Sequence, residues 1–136
     1  MEFQKIMQIS AAGMQVQNVR LRTIAENLAN AETTSSTPGG DPFRRKLVTF
    51  KNAMDKAAGI RTVQVDKVTT DKADFEKVYD PKSPGADKDG YVLKPNINPL
   101  IEVMDMRQAQ RSYEANLSVI DVARTMASRT IDLLKG

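Results

Sequence analysis

The sequence has no cysteine, no histidine and no tryptophan. Without cysteine there is neither a disulfide framework nor a thiolate zinc site. Without histidine the chain loses the usual general base at neutral pH and the commonest metal ligand, and nucleophilic triads are excluded in their ordinary form. Asp, Glu and Lys remain, so catalysis is disfavoured rather than forbidden. No glycine-rich phosphate loop is present. The expectation is a non-enzyme with no cofactor, no metal site and no small-molecule substrate. Long apolar runs are missing as well: no stretch approaches the ~20 residues needed to span a bilayer. Near the N-terminus Glu2 precedes Lys5, and Gln4, Gln8, Gln15 and Gln17 interrupt any apolar segment, so no cleaved signal peptide is expected.

Charge of one sign is also scarce. The net charge is +3, from 20 basic and 17 acidic residues. Residues 1–33 carry three of each sign and residues 99–136 five of each, so the excess lies in residues 34–98, with twelve basic against nine acidic. A nucleic-acid reader places its Lys and Arg along the contacting helix, so no nucleic-acid partner is expected. A field of this size steers an acidic partner only weakly.

What the chain does have is a hydrophobic code of period seven at both ends. Met7, Met14, Leu21 and Leu28 fall seven residues apart, and so do Met106, Tyr113, Ile120, Ala127 and Leu134. Ile24 thickens the first stripe. Leu117, Ile131 and a parallel series, Val119, Met126 and Leu133, broaden the second. Such a stripe keeps one face of a helix toward a partner helix. The first helix is predicted from about Phe3 to about Ala31, a rod of roughly 43 Å. The second is predicted from just after Pro99 to about Leu134. Gly13 costs its helix about 1 kcal/mol relative to Ala, and its use is either a close helix crossing or a bend, or it is a tolerated weak spot. Each large apolar side chain contributes roughly 1.5–3 kcal/mol when fully buried. One intramolecular partner does not cover every stripe, and leftovers at helical spacing are association sites.

Between the helices the code stops. Residues 33–42 are a loop by composition, with Pro38, Pro42 and the Gly39-Gly40 pair. Arg45–Phe50 and Ile60–Val68 read as strands, with Phe75–Tyr79 and Tyr91–Leu93 as shorter candidates. Asp89-Gly90 signals a tight turn. Pro81, Pro84, Pro95 and Pro99 make residues 80–99 largely extended. The fold class is therefore mainly α with a small β-rich insert. The terminal helices are expected to pack as a coiled-coil-like pair. Three segments follow: 1–33 and 99–136 as the helical domain, and 34–98 as a β-rich, extended middle.

Three local constellations have competing readings. Asp87-Lys88-Asp89-Gly90 resembles a fragment of a calcium loop but lacks its spacing and its closing Glu, which favours a polar turn. Arg44-Arg45-Lys46 is a basic cluster that could meet an acidic groove, although such runs are mostly solvated. Asn27-Leu28-Ala29-Asn30 places two poor helix formers at a helix end. They can bond backbone or a neighbouring helix, or they can simply end the helix with Asn in the left-handed region.

In context, these residues carry a resemblance. Ser10–Gln17 followed by Arg20–Thr33, with Asn27, Leu28, Ala29, Asn30 and Thr33, is similar to the N-terminal signature of bacterial flagellar rod and hook proteins. Tyr79, Pro81, Pro84, Asp87, Gly90 and Tyr91 resemble the segment before the last helix in the short proximal rod members of that superfamily. So do Pro95, Asn96, Asn98, Glu102–Met106, Tyr113 and Asn116. The likeness covers nearly the whole chain apart from about residues 51–74. Glu26 stands where many members carry Asn. The resemblance implies export through the flagellar type III apparatus without a cleaved signal, and polymerisation in the basal body into a periplasmic rod. It implies terminal helices in an inner tube and a middle segment outside. It further implies partners: other copies of the chain, other rod proteins, the rod-base adaptor, and the MS ring and export gate. The rival readings are a coiled-coil adaptor that binds partner helices without polymerising, and an enzyme working with Asp and Lys.

Overall fold

A computed structural model describes residues 2–136. Helix α1 spans Glu2–Ala29, strands β1 and β2 span Lys46–Asp55 and Ile60–Thr70, β3 and β4 span Glu76–Tyr79 and Tyr91–Lys94, and helix α2 spans Pro99–Lys135. Two long helices with a small antiparallel insert match the expected fold class. Among the described residues no helix is long and apolar enough to cross a membrane.

The helix ends follow from local chemistry. α2 opens with Pro at its first position, where the missing N–H costs nothing and φ is already helical. Asn98 caps it, its Oδ1 accepting from the Leu100 N–H at 3.1 Å while its carbonyl accepts from the Glu102 N–H at 3.1 Å. Lys135 lies in the last turn, where a positive charge suits the helix dipole. α1 stops two residues before its expected end because the chain tightens into turns there. The Asn30 amide donates to the Glu26 carbonyl from both its backbone N–H at 3.1 Å and its Nδ2 at 2.8 Å. No non-glycine residue has positive φ among the described residues, so the left-handed ending of the Asn27–Asn30 segment is ruled out.

The chain divides into two compact units. The first comprises residues up to 21, 48–67 and 107–136; the second comprises 22–47 and 68–106. In the first, Val16, Ile60, Ala109 and Ala123 are buried together with Ser10. β1 runs on to Asp55, five residues past its expected end. Lys51 and Asn52 are poor strand formers, but pairing with β2 overrides that preference. The connecting turn is closed by Asp55, whose Oδ1 accepts from the Ala57 and Ala58 N–H groups at 3.0 and 3.1 Å. Gly59 supplies the left-handed φ of 68° that the turn needs.

In the second unit β3 and β4 pair antiparallel, with Val78 opposite Val92 and Tyr79 opposite Tyr91. Alternation places Val92 inside, at 2% exposure, and the two tyrosines outside, edge to face with ring centroids 5.4 Å apart. Asp87-Lys88-Asp89-Gly90 is a polar turn. Asp87 Oδ1 accepts from the Asp89 and Tyr91 N–H groups, each at 2.9 Å.

Candidate functional site

Among the described residues the largest fully buried side chains are both polar: Glu102, at 0% exposure, and Asn27, at 1%. Burying such groups is costly unless they are paired. In the second unit they are. The Asn27 side-chain amide treats β1 as a neighbouring strand would. Its Nδ2 donates to the Lys46 carbonyl at 2.9 Å, and its Oδ1 accepts from the Lys46 N–H at 2.9 Å. The same Nδ2 reaches Glu102 Oε2 at 3.5 Å. Arg45 Nε donates to Glu102 Oε1, and its two terminal nitrogens lie 3.3 Å from Asp71 and 3.4 Å from Asp105. Asn96 completes the knot, accepting from the Arg45 N–H at 2.8 Å and donating to the Asp71 and Ala73 carbonyls. Burial works against the Arg45 charge. The hydrogen bond and attraction of Glu102, then those of Asp71, outweigh it and hold the guanidinium above its ordinary value.

The solvated reading of Arg44-Arg45-Lys46 is therefore corrected. Arg44 lies 4.1 Å above the Phe75 ring and donates to the Asp71 and Ala73 carbonyls. Lys46 pairs with Glu26 at 2.6 Å. Acceptors up to 60 residues away hold these side chains, and a loop cluster read alone cannot reveal them.

In the first unit the helices meet at Gly13. A Cβ on that residue would lie 2.9 Å from Asn116 Nδ2, so close crossing is the use of this glycine. Arg20 donates to Gln108 at 3.1 Å. Gly13, Arg20 and Asn27 are seven residues apart, as are Glu102, Ala109, Asn116 and Ala123. These series are offset from the expected stripes, by one residue on α1 and by three or four on α2. Small and polar side chains occupy the closest approach, and the large apolar ones flank it.

Met7, Met14, Leu21, Leu28, Met106, Tyr113 and Ile120 are half-buried, and Ile24 is buried. Leu117, Ile131 and Leu134 are exposed, at 43%, 52% and 83%. Of the motif residues, Asn27, Gly90 and Pro95 are buried, whereas Asn30, Asp87, Asn96 and Asn116 are half-buried. Ala29, Thr33, Tyr79, Pro81, Pro84, Tyr91 and Asn98 are exposed. The sequence reading missed the pairing of Arg45 with Glu102 and the roles of Ala109 and Ala123. The available signal was the Glu102-Ala109-Asn116-Ala123 series, whose small residues score poorly as a hydrophobic stripe.

A FlgC basal-body rod protein of Agrobacterium fabrum is 51% identical over 94% of this chain and 92% of its own length. The chain belongs to the FlgC family. FlgC proteins of Aquifex aeolicus, 38% identical over 99% of both chains, and Salmonella typhimurium, 37% identical over 94% of this chain and 95% of its own, are further relatives. The family model for the C-terminal region of the FlgE, FlgF and FlgG basal-body rod proteins matches residues 88–133. That match takes in β4 and nearly all of α2.

Proposed function

We propose that the chain is a structural subunit of the bacterial flagellar proximal rod. It polymerises through its terminal helices into the axial shaft that carries torque across the periplasm. Residues 1–33 and 99–136 form the inner helical domain as a coiled-coil-like pair, and the strands and Pro-rich segment of 34–98 lie outside. The partners are further copies, other rod proteins, the rod-base adaptor, and the MS ring and export gate. Delivery is by the type III export apparatus without a cleaved signal, and no catalytic step is involved.

The observation that carries this reading is the outer surface of α2. Leu117, Val119, Val122, Met126, Ile131, Leu133 and Leu134 are all between 43% and 83% exposed. In the first unit an apolar groove of about 300 Å³ opens between Phe3 and Ile6 on one side and Val119, Val122 and Met126 on the other. A helix apolar on its solvent side is built to be covered.

Met126→Asp combined with Leu133→Asp tests the reading. Both side chains are exposed, so helical content and melting temperature should stay as in the parent. Sedimentation at rising concentration with other rod proteins should show growing assemblies for the parent and none for the variant, and cells carrying the variant should not swim. A complex that saturates at fixed stoichiometry in the parent would favour the adaptor reading instead.

A further inference from the structure

The segment of α1 in the second unit buries Thr23, Ile24 and Asn27, and the segment of α2 buries Glu102. Ile24 is the one large apolar side chain among them. Apolar contact is non-directional, so a helix displaced by a turn exchanges one apolar neighbour for another at little loss. Hydrogen-bonded buried charge behaves differently. A slip of one turn, about 5.4 Å, would carry Glu102 out of reach of Asn27 and Arg45 and strand a carboxylate away from water. Asn27 adds a second constraint, because its amide matches both backbone groups of Lys46. Arg45 adds a third, reaching Glu102 and Asp105 on α2 and Asp71 after β2.

We propose that Asn27, Arg45 and Glu102 are positioning residues that select a single register of α1, β1 and α2 within the second unit. Their work is to exclude neighbouring alignments, as a buried polar residue does in a coiled-coil seam, rather than to supply the bulk of the stability. This holds whether or not the chain polymerises.

Because the chain has no cysteine, spin labels can be placed at the exposed positions Ala25→Cys and Met104→Cys, one on each helix of this unit. Double electron–electron resonance on the full chain should give one narrow distance in the parent. With Arg45→Met and Glu102→Met together, the melting temperature should stay within about 5 °C of the parent. A second distance, displaced by up to about 5.4 Å, should then appear. Arg45→Lys keeps the charge but cannot span three carboxylates, so it should show the same second population at lower amplitude. It also answers the question if the double variant fails to fold. A single unshifted distance in Arg45→Lys, and in the double variant where that folds, overturns the proposal. So does a lowered melting temperature with no second distance, since the knot would then act on stability alone.

Discussion

In the first unit the helices meet where Gly13 faces Asn116, with Ala109 and Ala123 buried nearby. In the second they meet over Asn27 and Glu102, with Arg45 closing the contact. The first contact gains from closeness: small side chains let backbones approach and dispersion accumulate. The second depends on satisfied hydrogen bonds, and little apolar surface stands behind it. Both units leave large apolar residues outside, but the second buries a charged, hydrogen-bonded cluster where its helices meet. The two contacts therefore place different demands on sequence: one on size, the other on hydrogen-bond geometry.

The comparison breaks most visibly at Arg45. Arg45→Ala leaves Glu102 buried without its cation, and should cost about 3–5 kcal/mol in urea unfolding of the full chain. The raised Arg45 pKa means the guanidinium stays charged throughout the usual pH range. Its contribution is complete below its unfolded value and is lost only as pH rises through the higher folded value, in strong alkali. A loss below about 1 kcal/mol would show that the site is wetter than its burial implies.

Hydrogen exchange sharpens the same contrast. Amides of residues 125–135, whose apolar side chains face solvent, should exchange at least about a hundredfold faster in the monomer than those of residues 23–27. Equal protection in the two stretches would mean that the α2 end is ordered without partners. The smallest effect is expected at Gly13. Gly13→Leu should destabilise by about 1–3 kcal/mol, because the added carbons meet Asn116. Gly13→Ala should be nearly neutral, since about 1 kcal/mol of helix propensity offsets the displaced Asn116 amide. Thermal melts of both variants decide the matter, and a neutral leucine would mean that the crossing has room to open.

The long elements were legible because their signals are local. Period seven marks α1 and α2, Pro99 marks the start of α2, and Asp89-Gly90 marks the turn before β4. The phase of the helix contact was not legible. Met14 and Leu21 outweigh Gly13 and Arg20 on any hydrophobic reading, yet the smaller or polar neighbour makes the contact. The knot was only half legible. Asn27 announces itself as an odd residue near a helix end, where bonding to backbone, bonding to a neighbouring helix and simple helix termination all stayed open. Arg45 looks like any loop cation because Asp71, Glu102 and Asp105 lie 26, 57 and 60 residues away. Likewise, Lys51 and Asn52 carry no strand signal of their own; β2 supplies it.

Those separations have a kinetic consequence. Contacts between residues far apart in sequence must close large loops before any stabilisation returns, and chains dominated by them fold slowly. During synthesis from the N-terminus, Asn27 and Arg45 emerge well before Glu102 and Asp105. Until then the second unit could form no complete knot, and its polar side chains would stay in water.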